Sequence, residues 1–255
     1  MPQFGFRTGS FPGLTAEGAA GELARLGYDC LELCLEAPDV RHDLDEARCR
    51  ALRAAFEQLG IAVASVSYHG DKDPLPARAA NQEVAIRAAQ WLGTGIAVLN
   101  TERAVERERQ WAEHVSHLGR LCAVAEEAGV TLALEPEPLL VVGSSEDMAA
   151  MIEAVGSPRL RVNLDVGHAW ITDEDVAASI RRLGERIVHL HLEDIGGRVH
   201  RHLPLGEGDI DFTAIREALG QVGYKGPYVV DLFGQSDAPS AVAGHALEGL
   251  RRLFG

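Results

Sequence analysis

Between Arg161 and Phe212 the chain concentrates side chains that bind metal ions and move protons. It reads Asn163-Leu-Asp165-Val-Gly-His168, then Val188-His189-Leu-His191-Leu-Glu193-Asp194, then His200-Arg201-His202-Leu-Pro-Leu-Gly206-Glu-Gly-Asp-Ile-Asp211-Phe212. Five of the ten histidines of the chain fall in this stretch, beside carboxylates. Imidazole next to carboxylate is a ligand set for Zn²⁺, Mn²⁺ or Fe²⁺. One strand-end histidine would be satisfied by backbone alone. A cluster of imidazoles and carboxylates is costly to bury without a cation.

The elements that position these residues form a repeat. A helical pattern ends in Gly and an apolar run follows, at Gly27, Gly60, Gly93, Gly129, Gly156, Gly184 and Gly223. The Gly is a left-handed helix stop, and the run is a strand buried on both faces. An eighth strand opens the chain at Phe4-Gly-Phe-Arg-Thr. Helical segments are expected at 15–26, 43–59, 77–92, 105–128, 145–155, 172–183, 211–222 and 239–254. Eight strands alternating with eight helices predict parallel pairing with right-handed crossovers, closed as a (β/α)₈ TIM barrel. An open doubly wound sheet is the rival, but Ser10-Phe-Pro-Gly13 is not its Gly-rich phosphate turn. Nothing divides the 255 residues, so one α/β domain over 1–255 is expected.

In such a barrel the chemistry sits where strands run into the following loops. Strand three ends at His69, strand four at Asn100, strand five at Glu135, strand six at Asp165, strand seven at His191 and strand eight at Asp231. Glu135, Asp165, His191 and Asp231 are expected to close around one divalent metal, with Mn, Zn, Mg and Co as candidates. His168 faces the same mouth as a substrate or supporting group. His189, one layer deeper, reads as structural. The loop Gly206-Glu-Gly-Asp reads as a turn into a helix capped by Asp211. As a phosphate site it would be repelled by its own Glu207 and Asp209.

The formal net charge of −14 argues against nucleic acid as a partner. No stretch reads as a signal peptide or a membrane span. The four cysteines lack zinc-knuckle spacing and read as buried free thiols of a cytoplasmic protein.

The stretches Ala133-Leu-Glu135-Pro, Leu164-Asp165-Val-Gly-His168-Ala, His189-Leu-His191-Leu-Glu-Asp194 and His202-Leu-Pro-Leu-Gly206-Glu-Gly-Asp-Ile-Asp-Phe212 resemble the xylose isomerase-like barrel superfamily. That superfamily holds sugar isomerases, ketose 3-epimerases, inosose dehydratases and zinc-dependent apurinic endonucleases. The resemblance implies metal binding by Glu135, Asp165, His191 and Asp231, with Glu135 and Asp231 moving protons. It implies that Arg201 holds substrate oxygens, beside His168 at the same mouth. In epimerases the last-strand residue is Glu, so Asp231 is a departure. Three readings follow. The first is a metal-dependent isomerase or epimerase of a sugar or polyol working through an enediolate, with dehydration as a variant. The second is a multinuclear zinc hydrolase of a phosphate ester, with His69, His168, His200 and His202 as further ligands. The third is a non-catalytic sugar-binding barrel. Members of the superfamily often form dimers or tetramers, so a homo-oligomer is in keeping.

Overall fold

The computed structural model describes residues 2–41, 44–70, 73, 75–234 and 237–255. Its strands are β1 (Phe4–Arg7), β2 (Cys30–Cys34), β3 (Ala62–Tyr68), β4 (Ile96–Leu99), β5 (Thr131–Leu134), β6 (Leu160–Asp165), β7 (Ile187–Leu192) and β8 (Tyr228–Val230). They are all parallel and close in sequence order, β8 pairing with β1. The expected barrel is present, and no open sheet edge remains among the described residues.

The helices are α1 (Ala16–Leu26), α2 (Pro38–Arg41), α3 (Glu46–Leu59), α4 (Leu75–Leu92), α5 (Arg107–Ala128), α6 (Ser145–Val155), α7 (Val166–Thr172), α8 (Val176–Leu183), α9 (Phe212–Gln221) and α10 (Pro239–Phe254). All seven glycines named as helix stops have positive φ, where a Cβ is penalised. Two expectations change. The helix expected from Asp43 starts at Glu46 with Asp45 as its cap, and Asp43 itself lies outside the described residues. The helix expected from Thr172 is split: Thr172 ends α7, and Asp175 caps α8 by accepting from the Ala178 N–H. Asp175 competes better than Thr172 as cap because its carboxylate meets the positive helix start.

The core lies between strands and helices, built from residues such as Leu31, Leu33, Leu132, Leu134, Leu190 and Leu192, each fully buried. Fully burying one such side chain contributes about 1.5–3 kcal/mol. No helix among the described residues is long and apolar enough to cross a membrane. All four cysteines are buried and free.

Candidate metal and sugar site

The C-terminal ends of the strands surround a cavity of about 410 Å³, lined among others by Arg7, His69, Glu135, His168, His202 and Asp231. Arg7 ends β1, His69, Glu135 and Asp231 directly follow β3, β5 and β8, His168 stands in the first turn of α7, and His202 comes from the loop after β7. Pro136 follows Glu135 and disfavours a helical turn at that position. Asp165 caps α7 through the His168 N–H at 2.7 Å, and this turns the chain so that His168 comes back over the mouth. The β6–β7 register sets Asp165 beside His191.

Four nitrogens converge on the Glu135 carboxylate. Asn163 Nδ2 stands 2.5 Å, His69 Nε2 3.0 Å and His191 Nδ1 3.0 Å from Oε2, and His168 Nδ1 lies 3.3 Å from Oε1. Asp165 Oδ2 lies 4.0 Å from His191 Nδ1 and is buried with no hydrogen-bond partner. One ligand atom each from Asp165, His191 and Asp231 fall within 4.8 Å of one another, as do those of Glu135, Asp165 and His168. The orphaned oxygen and the oxygen and imidazole donors suit a divalent cation.

Electrostatics point the same way. Glu32, Glu135, Asp165, Glu193 and Asp231 are all buried. Burial opposes charge on Glu135, yet His191 and His69 hold its carboxyl well below the usual range. Burial works against His168 too, but Asp165 and Glu135 push it up to about 10. Glu193 is pushed far up by burial and by Asp165. The ring of carboxylates thus favours positive charge on His69, His168 and His191 and disfavours a further negative charge on Glu193, as a site shaped for a cation does.

Further residues join the site that sequence reasoning did not single out. Glu32 sits in the middle of β2 and receives His191 Nε2 at 3.0 Å and Ser65 Oγ at 2.7 Å. It orients the imidazole of a candidate ligand from behind. Arg7 donates from Nε to Glu32 Oε1 at 2.7 Å and from Nη1 to Asp231 Oδ2. Glu193 leaves so little room that a Cβ at Gly167 would lie 1.9 Å from its Oε1. The signals were there: Glu32 is a lone charge inside Leu31-Glu-Leu33, and Arg7 ends a strand as Glu135 does. Phe233, 75% exposed, stands at the cavity rim, where it offers an apolar face.

The other expected residues divide. His168, His200 and His202 come together, their Nε2 atoms 3.0 Å and 3.3 Å from each other through His200. His189 is fully buried and bonded to Asn163 Oδ1 and Ser65 Oγ, as a structural residue would be. Arg201 is exposed and lines a recess beside Phe233 and Asp237 rather than the main cavity. In the Gly206 loop the Gly206 and Ile210 N–H groups donate to Asp194 and that of Gly197 to Asp209. Asp211 caps α9, so this segment is a turn in which the N–H groups of Gly206, Glu207, Asp209 and Ile210 are already used.

The family profile described as "Xylose isomerase-like TIM barrel" matches residues 20–253. The L-ribulose 3-epimerase of Mesorhizobium japonicum is 31% identical over 237 residues, 82% of this chain and 75% of that protein. The L-ribulose-5-phosphate 3-epimerase of Escherichia coli is 28% identical over 246 residues, 89% of this chain and 85% of that one. The D-psicose 3-epimerase of Clostridium cellulolyticum H10, solved with D-tagatose, superposes with a TM-score of 0.80 at 20% identity, over 100% of this chain and 99% of that one. At that identity the likeness speaks for the fold alone. These curated relatives are sugar epimerases, and they favour the first of the three readings over the hydrolase and the non-catalytic barrel. A profile match over nearly the whole length excludes a chance likeness of barrels: the chain belongs to the xylose isomerase-like TIM barrel family.

Proposed function

We propose that the chain is a divalent-metal-dependent ketose 3-epimerase, acting on a sugar of the L-ribulose kind. The observation that carries the proposal is the convergence of Asp165, His191 and Asp231, one ligand atom of each within 4.8 Å of the others, at the mouth of a barrel whose curated relatives epimerise ribulose or its 5-phosphate. Glu135, Asp165, His191 and Asp231 would hold the cation. When bound, it supplies Lewis acidity that polarises the carbonyl of a ketose and lowers the cost of an enediolate.

The chain's own residues do the rest. Glu135, held ionised, takes the proton from the carbon next to the carbonyl. Arg7, against the burial that opposes it, holds the Asp231 carboxyl at about 2, so Asp231 takes up a proton from solvent before it delivers one to the opposite face of the same carbon, and Glu135 releases the proton it took back to solvent. His168 faces the cavity and offers a contact for a sugar oxygen. Arg201 enters as a contact at the rim. Four free buried thiols accord with a reducing cytoplasmic setting.

The test is incubation of L-ribulose with the protein and Mn²⁺ in D₂O. Deuterium should enter at C3 and L-xylulose should appear, and a chelator should stop both. Absence of C3 exchange with metal present would overturn the proposal.

A second reading concerns the histidine triad. His168 Nδ1 lies 3.3 Å from the Pro136 carbonyl oxygen, and His202 Nδ1 lies 2.9 Å from that of Asp231. Carbonyls accept hydrogen only, so both Nδ1 atoms carry a proton, and once His168 gives up the proton of its Nε2 both Nε2 lone pairs can face one ion beside His200. That convergence favours a second cation there. Elemental analysis with Zn²⁺ decides: two ions per chain support a second site, and one leaves the triad as a substrate contact.

A further inference from the structure

β1 and β5 lie on opposite sides of the closed barrel, yet one hydrogen-bonded chain joins their ends. Arg7, at the end of β1, is 9% exposed. Its guanidinium donates to Glu32 and Asp231, and from Nη2 to His69 Nδ1 at 2.8 Å and Ser67 Oγ at 3.4 Å. His69 follows β3, and its other nitrogen, Nε2, lies 3.0 Å from Glu135 Oε2. Guanidinium has no acceptor and keeps its protons in proteins. His69 Nδ1 must therefore present a lone pair to Arg7. The single ring proton is then on Nε2, aimed at Glu135.

We propose that Arg7 is a positioning residue: by fixing His69 as the Nε2–H tautomer, it makes His69 a hydrogen donor to Glu135 instead of a metal ligand. Nε2 has no lone pair to give while Nδ1 receives Arg7. The set His69, Glu135 and His191, close enough to hold an ion, is then closed to metal on the His69 side. The Nε2–H holds the Glu135 carboxylate in one rotamer, facing the cavity. The same guanidinium pins one oxygen of Asp231 across the mouth. One cation from β1 thus sets the aim of both carboxylates that the epimerase reading employs, and for turnover, though not for the tautomer, the inference rests on that reading.

The test uses the full chain labelled with ¹⁵N-histidine and loaded with Mg²⁺. His69 is assigned by the signals lost in His69→Gln. Long-range ¹⁵N–¹H correlation should show Nε2 protonated and Nδ1 bare. In Arg7→Lys, which keeps a charge but not the planar fork, the Nδ1–H form should gain population. With L-ribulose, Arg7→Lys should lower kcat about tenfold or more and change KM less than about threefold. In the His69→Gln background the same change should cost clearly less than in the parent, because its route to Glu135 is gone and only that to Asp231 remains. An Nδ1–H tautomer in the parent would overturn the proposal, as would an unchanged tautomer in Arg7→Lys or losses that simply multiply. Should Arg7→Lys not fold, the parent tautomer decides. A protein inert toward L-ribulose but showing the Nε2–H form would sink the epimerase reading and leave the relay standing.

Discussion

Glu135 shows how one residue is held to a task by what surrounds it. Its carboxylate faces four nitrogen donors, and a cation would draw on the same oxygens. Glu135→Gln keeps the shape but turns an NH₂ toward groups that already donate. The unpaired donor should cost about 1–3 kcal/mol in the metal-free protein. Turnover should fall about 10²–10⁴-fold with the loss of the base. Saturating Mn²⁺ should raise the melting temperature of the variant less than that of the parent, by linkage. Melting curves with chelator and with Mn²⁺ check this, and equal metal-induced shifts would remove Glu135 from the ligand set. Gly167→Ala is a second probe at this scale. Its methyl group would meet Glu193, and overpacking of that kind costs about 1–3 kcal/mol, which chemical denaturation would read.

At the scale of elements, the helices do more than cover the barrel. α4 and α5 tie the end of β4 to the site. His117 Nε2 donates to Gln82 Oε1 at 2.6 Å, Gln82 Nε2 to the Asn100 carbonyl at 3.2 Å, and Asn100 Nδ2 to Glu137 Oε2 at 2.9 Å. Burial, with His114 and nearby arginines adding to it, pulls His117 down to about 4. The unfolded chain titrates near ~6.5, so between the two values it binds more protons than the folded one. This contribution is fully present above about pH 6.5 and is lost as pH falls to about 4, at most about 3 kcal/mol in all. Stability of the parent minus that of His117→Gln, measured across this window, should shrink as pH drops. A difference independent of pH would show that His117 titrates normally. The strand ends were legible in the sequence because each buried apolar run breaks off at one polar residue. The α7–α8 split was not, since Thr172 and Asp175 both carry cap chemistry and only the return of His168 over the mouth decides between them.

For the whole molecule, closure of the barrel is what joins residues far apart in the chain. Arg7 and Asp231 are 224 positions apart and share a hydrogen bond because β1 and β8 are neighbours. Strand rhythm and the tips at Glu135, Asp165, His191 and Asp231 could be read from sequence, since burial and period are local properties. Arg7, Glu32 and Glu193 could not be placed the same way. Their partners are set by closure and register, which bring β1, β2, β7 and β8 into one polar network. The central claim is that the four strand-tip residues hold one divalent cation in front of a ketose. Crystals grown with Mn²⁺ test it most directly through the metal's anomalous scattering. The account predicts a peak bounded by Glu135, Asp165, His191 and Asp231, with His69 turned away from the ion. A peak confined to the His168, His200 and His202 triad, or no peak at saturating Mn²⁺, would contradict it.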